Sequence, residues 1–90
     1  MKYDVCVIGG CGHVGLPLAI MLAAKGKNVS IYDTNERNIE IVRSGVIPFS
    51  EEGAEELLRQ ALKDGKLHFS SVPEVLSESE IAILIIGTPV

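Results

Sequence analysis

The chain has 90 residues, 47% hydrophobic side chains and a mean hydropathy of +0.30, enough for the core of one small domain whose stability is expected to be marginal. Its formal net charge is −4 with no run of Lys or Arg, which argues against a nucleic acid or an anionic membrane as partner. Lys2 and the short apolar run after it make no signal peptide and no run approaches membrane-spanning length, so a cytoplasmic protein is expected.

The first element is an apolar run, Tyr3 to Ile8, that reads as a buried strand. Three glycines follow at Gly10, Gly12 and Gly15, and a helix-patterned stretch opens at about Gly12 and continues to Lys25. This is the GxGxxG spacing in the strand-to-helix context that gives it meaning. Gly10 is expected to let the chain turn sharply off the strand. Gly12, lacking a Cβ, lets backbone N–H groups approach a pyrophosphate, and Gly15 lets the helix sit close on the strand. The anion is held by orphan N–H groups and the positive end of the helix dipole, so the loop needs no Lys or Arg, and it has none. A glycine-rich turn that merely joins strand to helix is the competing reading.

In the helix, Gly15, Ala19 and Ala23 form a small-residue stripe that allows close approach to a sheet, with Val14, Leu18 and Leu22 as the larger apolar contacts. Pro17 requires the first turn to be irregular or to start late. Cys6 and Cys11 stand five positions apart, a spacing that fits neither a disulfide framework nor a zinc site, so no metal is expected and both thiols should be reduced. Cys11 has two readings: a thiol activated near a helix N-terminus, or a small side chain filling the variable position of the loop.

Gly26 stops the helix, and Asn28 to Tyr32 reads as a second strand that ends in Asp33. Asp33 lies 18 positions after Gly15, close to the roughly 20-residue offset at which an acid meets the adenosine ribose. A second helix spans Asn35 to Ser44 with Ile39 and Val42 inward, and Val46 to Phe49 is a loop. Ser50 is expected to cap a third helix running to Lys63, with Leu57, Leu58, Ala61 and Leu62 as its apolar face. Leu67 to Ser70 is a short strand on which His68 faces solvent, and Pro73 to Leu76 is a helical turn. Ile81 to Ile86 is a continuous apolar run of the kind found in a parallel strand buried on both faces. Gly87, Thr88 and Pro89 then fall at the ligand edge. The alternation predicts an α/β, Rossmann-like parallel sheet, ordered 3-2-1-4, that stops after its fourth strand. A full dinucleotide-binding domain of this kind usually has about six strands, so the chain reads as part of a longer one.

The strings GCGHVGLPLA, the acid in IYDTNERN, IPFSEEGAEELLRQALKDGKLHFSS and the terminal IIGTPV resemble the NAD-binding half of the UDP-glucose/GDP-mannose dehydrogenase family. Members commonly carry Tyr where this chain has His13, Tyr-Glu-Pro-Gly where it has Ser50, Glu51, Glu52 and Gly53, and a basic residue at the position of Asn38. The resemblance implies an enzyme that oxidises the C6 alcohol of a nucleotide-linked hexose to a carboxylate with two NAD, in polysaccharide biosynthesis, as a homo-oligomer. It also implies a catalytic cysteine and substrate domain beyond the region that matches residue 90, so no catalytic residue is expected here. The expected cofactor-binding residues are Gly10, Cys11, Gly12, His13, Val14, Gly15, Asp33, Arg37, Gly87 and Thr88. His13 can either bond a phosphate or simply lie over the cofactor, and Glu51 is either specific to the family segment or only an acid at a helix start. NAD is expected over NADP because Asp33 would stand against a 2′-phosphate, with Arg37 as its one rival. Two other classes stay open: a nucleotide-sensing regulatory module, and the cofactor half of a hydroxy-acid dehydrogenase.

Overall fold

The computed structural model describes residues 2–12, 14–47 and 53–85. Within them the chain runs β1 (Tyr3–Ile8), α1 (Gly15–Ala24), β2 (Val29–Tyr32), α2 (Glu36–Arg43), α3 (Ala54–Lys63), β3 (Leu67–Ser70), α4 (Glu74–Ser77) and β4 (Ser79–Leu84). The four strands form one sheet in the order β3-β2-β1-β4, and every pairing is parallel. The α/β, Rossmann-like architecture and its strand order are as expected from the sequence.

Register sets the two faces. Val5 pairs with Val29, which pairs with Leu67, and Val7 pairs with Ile31 one step on. These side chains point the same way and are buried against Leu16, Ala19, Ile20 and Ala23 of α1, Ile39 and Val42 of α2, and Ala54, Leu58 and Ala61 of α3. The small-residue stripe Gly15, Ala19, Ala23 is buried as anticipated. The large contacts of α1 are different, however. Leu16 and Ile20 fill the core, whereas Leu18 and Leu22 are half-buried and Val14 is 65% exposed. The segment GLPLAIMLAA is apolar all round, so periodicity alone does not select the buried face.

Helix α1 starts at Gly15, three residues later than the sequence suggested, and Pro17 explains the delay. It falls in the first turn, where a backbone N–H has no intrahelical acceptor and its loss costs little. Strand β2 begins at Val29 rather than Asn28, and Asn35 caps α2 through its side chain. Helix α3 begins after Gly53, which takes the left-handed conformation at φ 79°; the cap expected from Ser50 lies outside the described residues. The turn between α2 and α3 is tied down by α3 itself. Arg59 Nε donates to the Gly45 carbonyl at 3.2 Å, and Glu55 Oε2 accepts the Ile47 N–H at 3.2 Å.

On the opposite face, Ser30 and Ser79 are buried. Ser79 Oγ donates to the Val75 carbonyl at 2.9 Å, which leaves it to accept from Ser30 Oγ at 3.1 Å. His68, expected to face solvent, is half-buried with its ring centroid 5.0 Å from that of Tyr3. Strand β4 departs most from expectation. It starts at Ser79, and instead of being buried on both faces it exposes Ile81 by 57% and Leu84 by 61%. The reason is position: β4 is an edge strand of the described sheet, with β1 on one side only.

Leu57 was expected in the apolar face of α3 but is 53% exposed at its flank, whereas Leu58 is fully buried. Leu58→Ala is therefore expected to cost about 2–5 kcal/mol in urea unfolding, and Leu57→Ala no more than about 0.5 kcal/mol.

Candidate functional site

The carboxyl ends of β1 and β2 and the loop that enters α1 form one corner of the molecule. The turn off β1 is made by Gly9 at φ +82°, not by Gly10 as expected. A Cβ on Gly9 would also stand 2.8 Å from the Ile85 carbonyl oxygen at the end of β4. Gly10 is needed for space, because a Cβ there would be 2.6 Å from Ile31 Cγ2. Gly15 is the most confined, with a Cβ falling 2.5 Å from the Gly9 carbonyl oxygen and 2.9 Å from Gly10 Cα. Its contact is thus with the loop backbone. The sequence shows Gly9 only as a second consecutive glycine, and nothing in the spacing marks it as the turn residue.

Gly12 differs from the others. Among the described residues a Cβ there would meet nothing nearer than the Gly9 carbonyl at 3.5 Å, an ordinary contact, and its φ is not positive. The described residues do not demand glycine at this position, and they leave the loop room there for something outside the protein. Behind it, the α1 N-terminus has no side-chain cap and no acid in its first turn, whereas α2 and α3 carry Glu36 and Glu55 with Glu56 in theirs. Leu16 and Leu18 already give their N–H groups to the Gly12 and Val14 carbonyls and Pro17 has none, so it is the Gly15 N–H and the helix dipole that suit a pyrophosphate.

Asp33 holds the corner together. Its main-chain N–H donates to the Ser70 carbonyl at 3.1 Å, fixing it to β3. Its carboxylate accepts the Cys11 N–H on Oδ2 at 3.3 Å and the Asn35 N–H on Oδ1 at 2.9 Å. A carboxylate has roughly four lone-pair sites, so about two remain for the hydroxyls of a ribose. A small cavity of about 150 Å³ opens beside it, lined by Ile8, Gly9, Tyr32, Asp33, Thr34 and Ile85. A groove of about 450 Å³ between α2 and β3 shares none of these residues.

The structure therefore brings Gly10, Cys11, Gly12, Val14, Gly15 and Asp33 together, with Val14 exposed at the rim of the loop. Arg37 is exposed in the first turn of α2. His13, Glu51, Gly87 and Thr88 lie outside the described residues. Of the two readings of Cys11 the structure favours one: burial, and secondarily the charge of Asp33, push its thiol up to about 12. It is neutral at pH 7 and packs in the core, so the activated-thiol reading fails and the filler reading stands. Among the described residues, no group of three or more His, Cys, Asp or Glu side chains is placed to hold a metal ion.

Residues 3–90 match the model of the UDP-glucose/GDP-mannose dehydrogenase family, NAD binding domain. A UDP-glucose 6-dehydrogenase of Bacillus subtilis is 36% identical over 87 residues, which is 96% of this chain and 20% of that protein. A GDP-mannose 6-dehydrogenase of Pseudomonas syringae pv. tomato is 34% identical over 91% of this chain and 19% of its own length. Among solved structures, a GDP-mannose dehydrogenase from Pseudomonas aeruginosa superposes with a TM-score of 0.89 at 29% identity, over 99% of this chain and 20% of that one. The chain thus spans about a fifth of the length of the relatives it matches.

The glycines should separate by substitution. Gly15→Ala forces the helix off the loop and is expected to destabilise by about 2–4 kcal/mol in chemical unfolding. Gly12→Ala should shift stability by less than about 1 kcal/mol while weakening NAD binding about tenfold or more, read by calorimetric titration.

Proposed function

The chain belongs to the UDP-glucose/GDP-mannose dehydrogenase family, matching its NAD-binding domain over residues 3–90, and from that premise we propose that it is the NAD-binding portion of a nucleotide-sugar 6-dehydrogenase. The reaction proposed is oxidation of the C6 alcohol of a nucleotide-linked hexose to a carboxylate, with two NAD reduced and water supplying the second carboxylate oxygen. NAD supplies the hydride acceptor when bound. This chain's residues bind and orient it: backbone N–H groups of Gly10, Val14 and Gly15 take the pyrophosphate, those of Cys11 and Gly12 being held by Asp33 and the Gly9 carbonyl, and Asp33 takes the adenosine ribose, with Arg37, His13, Gly87 and Thr88 proposed along the same edge. The observation that carries this reading is the joining of the glycine loop to Asp33 through the Cys11 N–H.

The residues that act on the sugar are proposed to lie outside these 90. Of the two thiols here, Cys6 is fully buried and Cys11 is buried and neutral at pH 7, so neither is available to capture an aldehyde. We also propose a cytoplasmic protein that works in polysaccharide biosynthesis, as the family resemblance suggests. No described helix is long and apolar enough to cross a membrane.

Asp33 sets the choice of cofactor. A 2′-phosphate about 4 Å from its carboxylate costs about 4 kcal/mol per pair of unit charges at an effective dielectric near 20, and even half of that exceeds a tenfold preference. Titration of the chain with both dinucleotides is expected to show NAD binding more tightly than NADP. Asp33→Asn should weaken NAD about 10- to 100-fold, the worth of a charge-assisted hydrogen bond, and narrow the ratio between the two. Tighter NADP binding by the unmutated chain, or an unchanged ratio in the variant, would show that Asp33 does not read the ribose.

Self-association is proposed for these 90 residues taken alone: β4 lies at the edge of the described sheet with Ile81 and Leu84 exposed, a template for strand-to-strand association. Sedimentation velocity is expected to show concentration-dependent association that Ile81→Lys reduces; a clean monomer at high concentration would contradict it.

A further inference from the structure

The start of α2 lies beside Asp33, and two of its donor groups are engaged from within. Asn35 gives its N–H to Asp33 Oδ1 at 2.9 Å, and Asn35 Oδ1 accepts the Asn38 N–H at 3.1 Å. The next residue, Glu36, brings a second carboxylate on the side of the α2–β3 groove, which adjoins this corner through the helix start. Its Oε1 accepts a hydrogen bond from Ser71 Oγ at 3.1 Å, 35 residues further along the chain. Ser71 follows Ser70, whose carbonyl holds the Asp33 N–H at 3.1 Å. Successive residues at the end of β3 therefore fix the backbone of one acid and the side chain of the other.

A ribose whose hydroxyls bond Asp33 would carry a 2′-phosphate toward this helix start, because the Asp33 carboxylate leans on the Asn35 N–H. In many phosphate sites a helix N-terminus attracts such a group. Here the Asn35 and Asn38 N–H groups are already engaged, and the phosphate would meet two carboxylates against one cation, Arg37, which is exposed and forms no ion pair among the described residues.

We propose that Glu36, held in place by Ser71, is a second specificity-determining residue beside Asp33, so that the corner accepts a dinucleotide with a free 2′-hydroxyl and rejects one with a 2′-phosphate even after Asp33 is neutralised. The inference rests on the NAD-binding reading above and extends it. Asp33 alone would make discrimination the property of one side chain, whereas two carboxylates make it cumulative. Ser71 is a positioning residue in this scheme. Without its hydroxyl the Glu36 side chain is free to swing into solvent, where its charge is screened.

The experiment is calorimetric titration of NAD and of NADP into the unmutated chain and into Glu36→Gln, Ser71→Ala, Asp33→Asn and the Asp33→Asn/Glu36→Gln pair. Glu36→Gln is expected to raise the ratio of NADP to NAD affinity about three- to tenfold at low salt, with the gain shrinking toward unity in about 1 M salt. Ser71→Ala should give a smaller rise in the same direction, and the double variant a larger rise than Asp33→Asn alone. An unchanged ratio in Glu36→Gln, with NAD still bound, would overturn the role of Glu36 and leave the NAD reading intact. Failure of the unmutated chain to bind NAD would overturn both.

Discussion

Helix α1 can start where it does only because Gly15 has no side chain. The Gly9 carbonyl oxygen occupies the space a Cβ would take, at 2.5 Å, so helix and loop interlock backbone to backbone. Gly9 in turn is held by its own N–H, which donates to the Tyr32 carbonyl at 2.8 Å, and the end of β4 closes over it through Ile85. One close approach therefore joins β1, β2, β4 and α1 at a single point. The loop is a rigid consequence of sheet order rather than a free connection, which is what a site for a flexible dinucleotide needs if binding is not to be spent on ordering the protein.

Electrostatics at this corner follows from the same packing. The Asp33 carboxylate accepts two backbone N–H groups, one from the loop and one from the start of α2, so the acid stays solvated by the protein while only half-buried. The cost appears next door. Cys11, packed behind the loop beside that negative charge, has a thiol that gives up its proton only in strongly alkaline solution. A thiolate at Cys11 and the Asp33 carboxylate are unfavourable neighbours, since both are anions and the thiol is buried.

What the sequence revealed and what it hid follow the same division. The glycine spacing, the offset of Asp33 and the strand order were legible because they rest on backbone constraints that few residues satisfy. The inward face of α1 was not, because Val14, Leu16, Leu18, Ile20 and Leu22 are equally apolar and only tertiary packing chooses among them. Gly9 was hidden by its neighbour: two adjacent glycines look alike, and only the φ angle tells which one turns. The exposure of Ile81 and Leu84 was illegible for a different reason, since an apolar strand reads the same whether or not another element covers it. Glu55 and Arg59, which fasten the turn before α3, show as an ordinary i, i+4 pair in sequence, and their backbone acceptor and donor appear only in three dimensions.

The buried hydroxyl pair of Ser30 and Ser79 links β2 to β4, strands that are not neighbours in the sheet and whose serines lie 49 residues apart. Parallel strands of short apolar residues offer several nearly equivalent alignments during folding, and a slip of one residue turns every side chain to the other face. Around Ser79 the chain reads Glu78, Ser79, Glu80. A shift in either direction would drive a carboxylate into the space where a hydroxyl now sits satisfied, at a cost of several kcal/mol. The flanking acids thus act as a proofreading device, leaving β4 one alignment in which it can close the sheet.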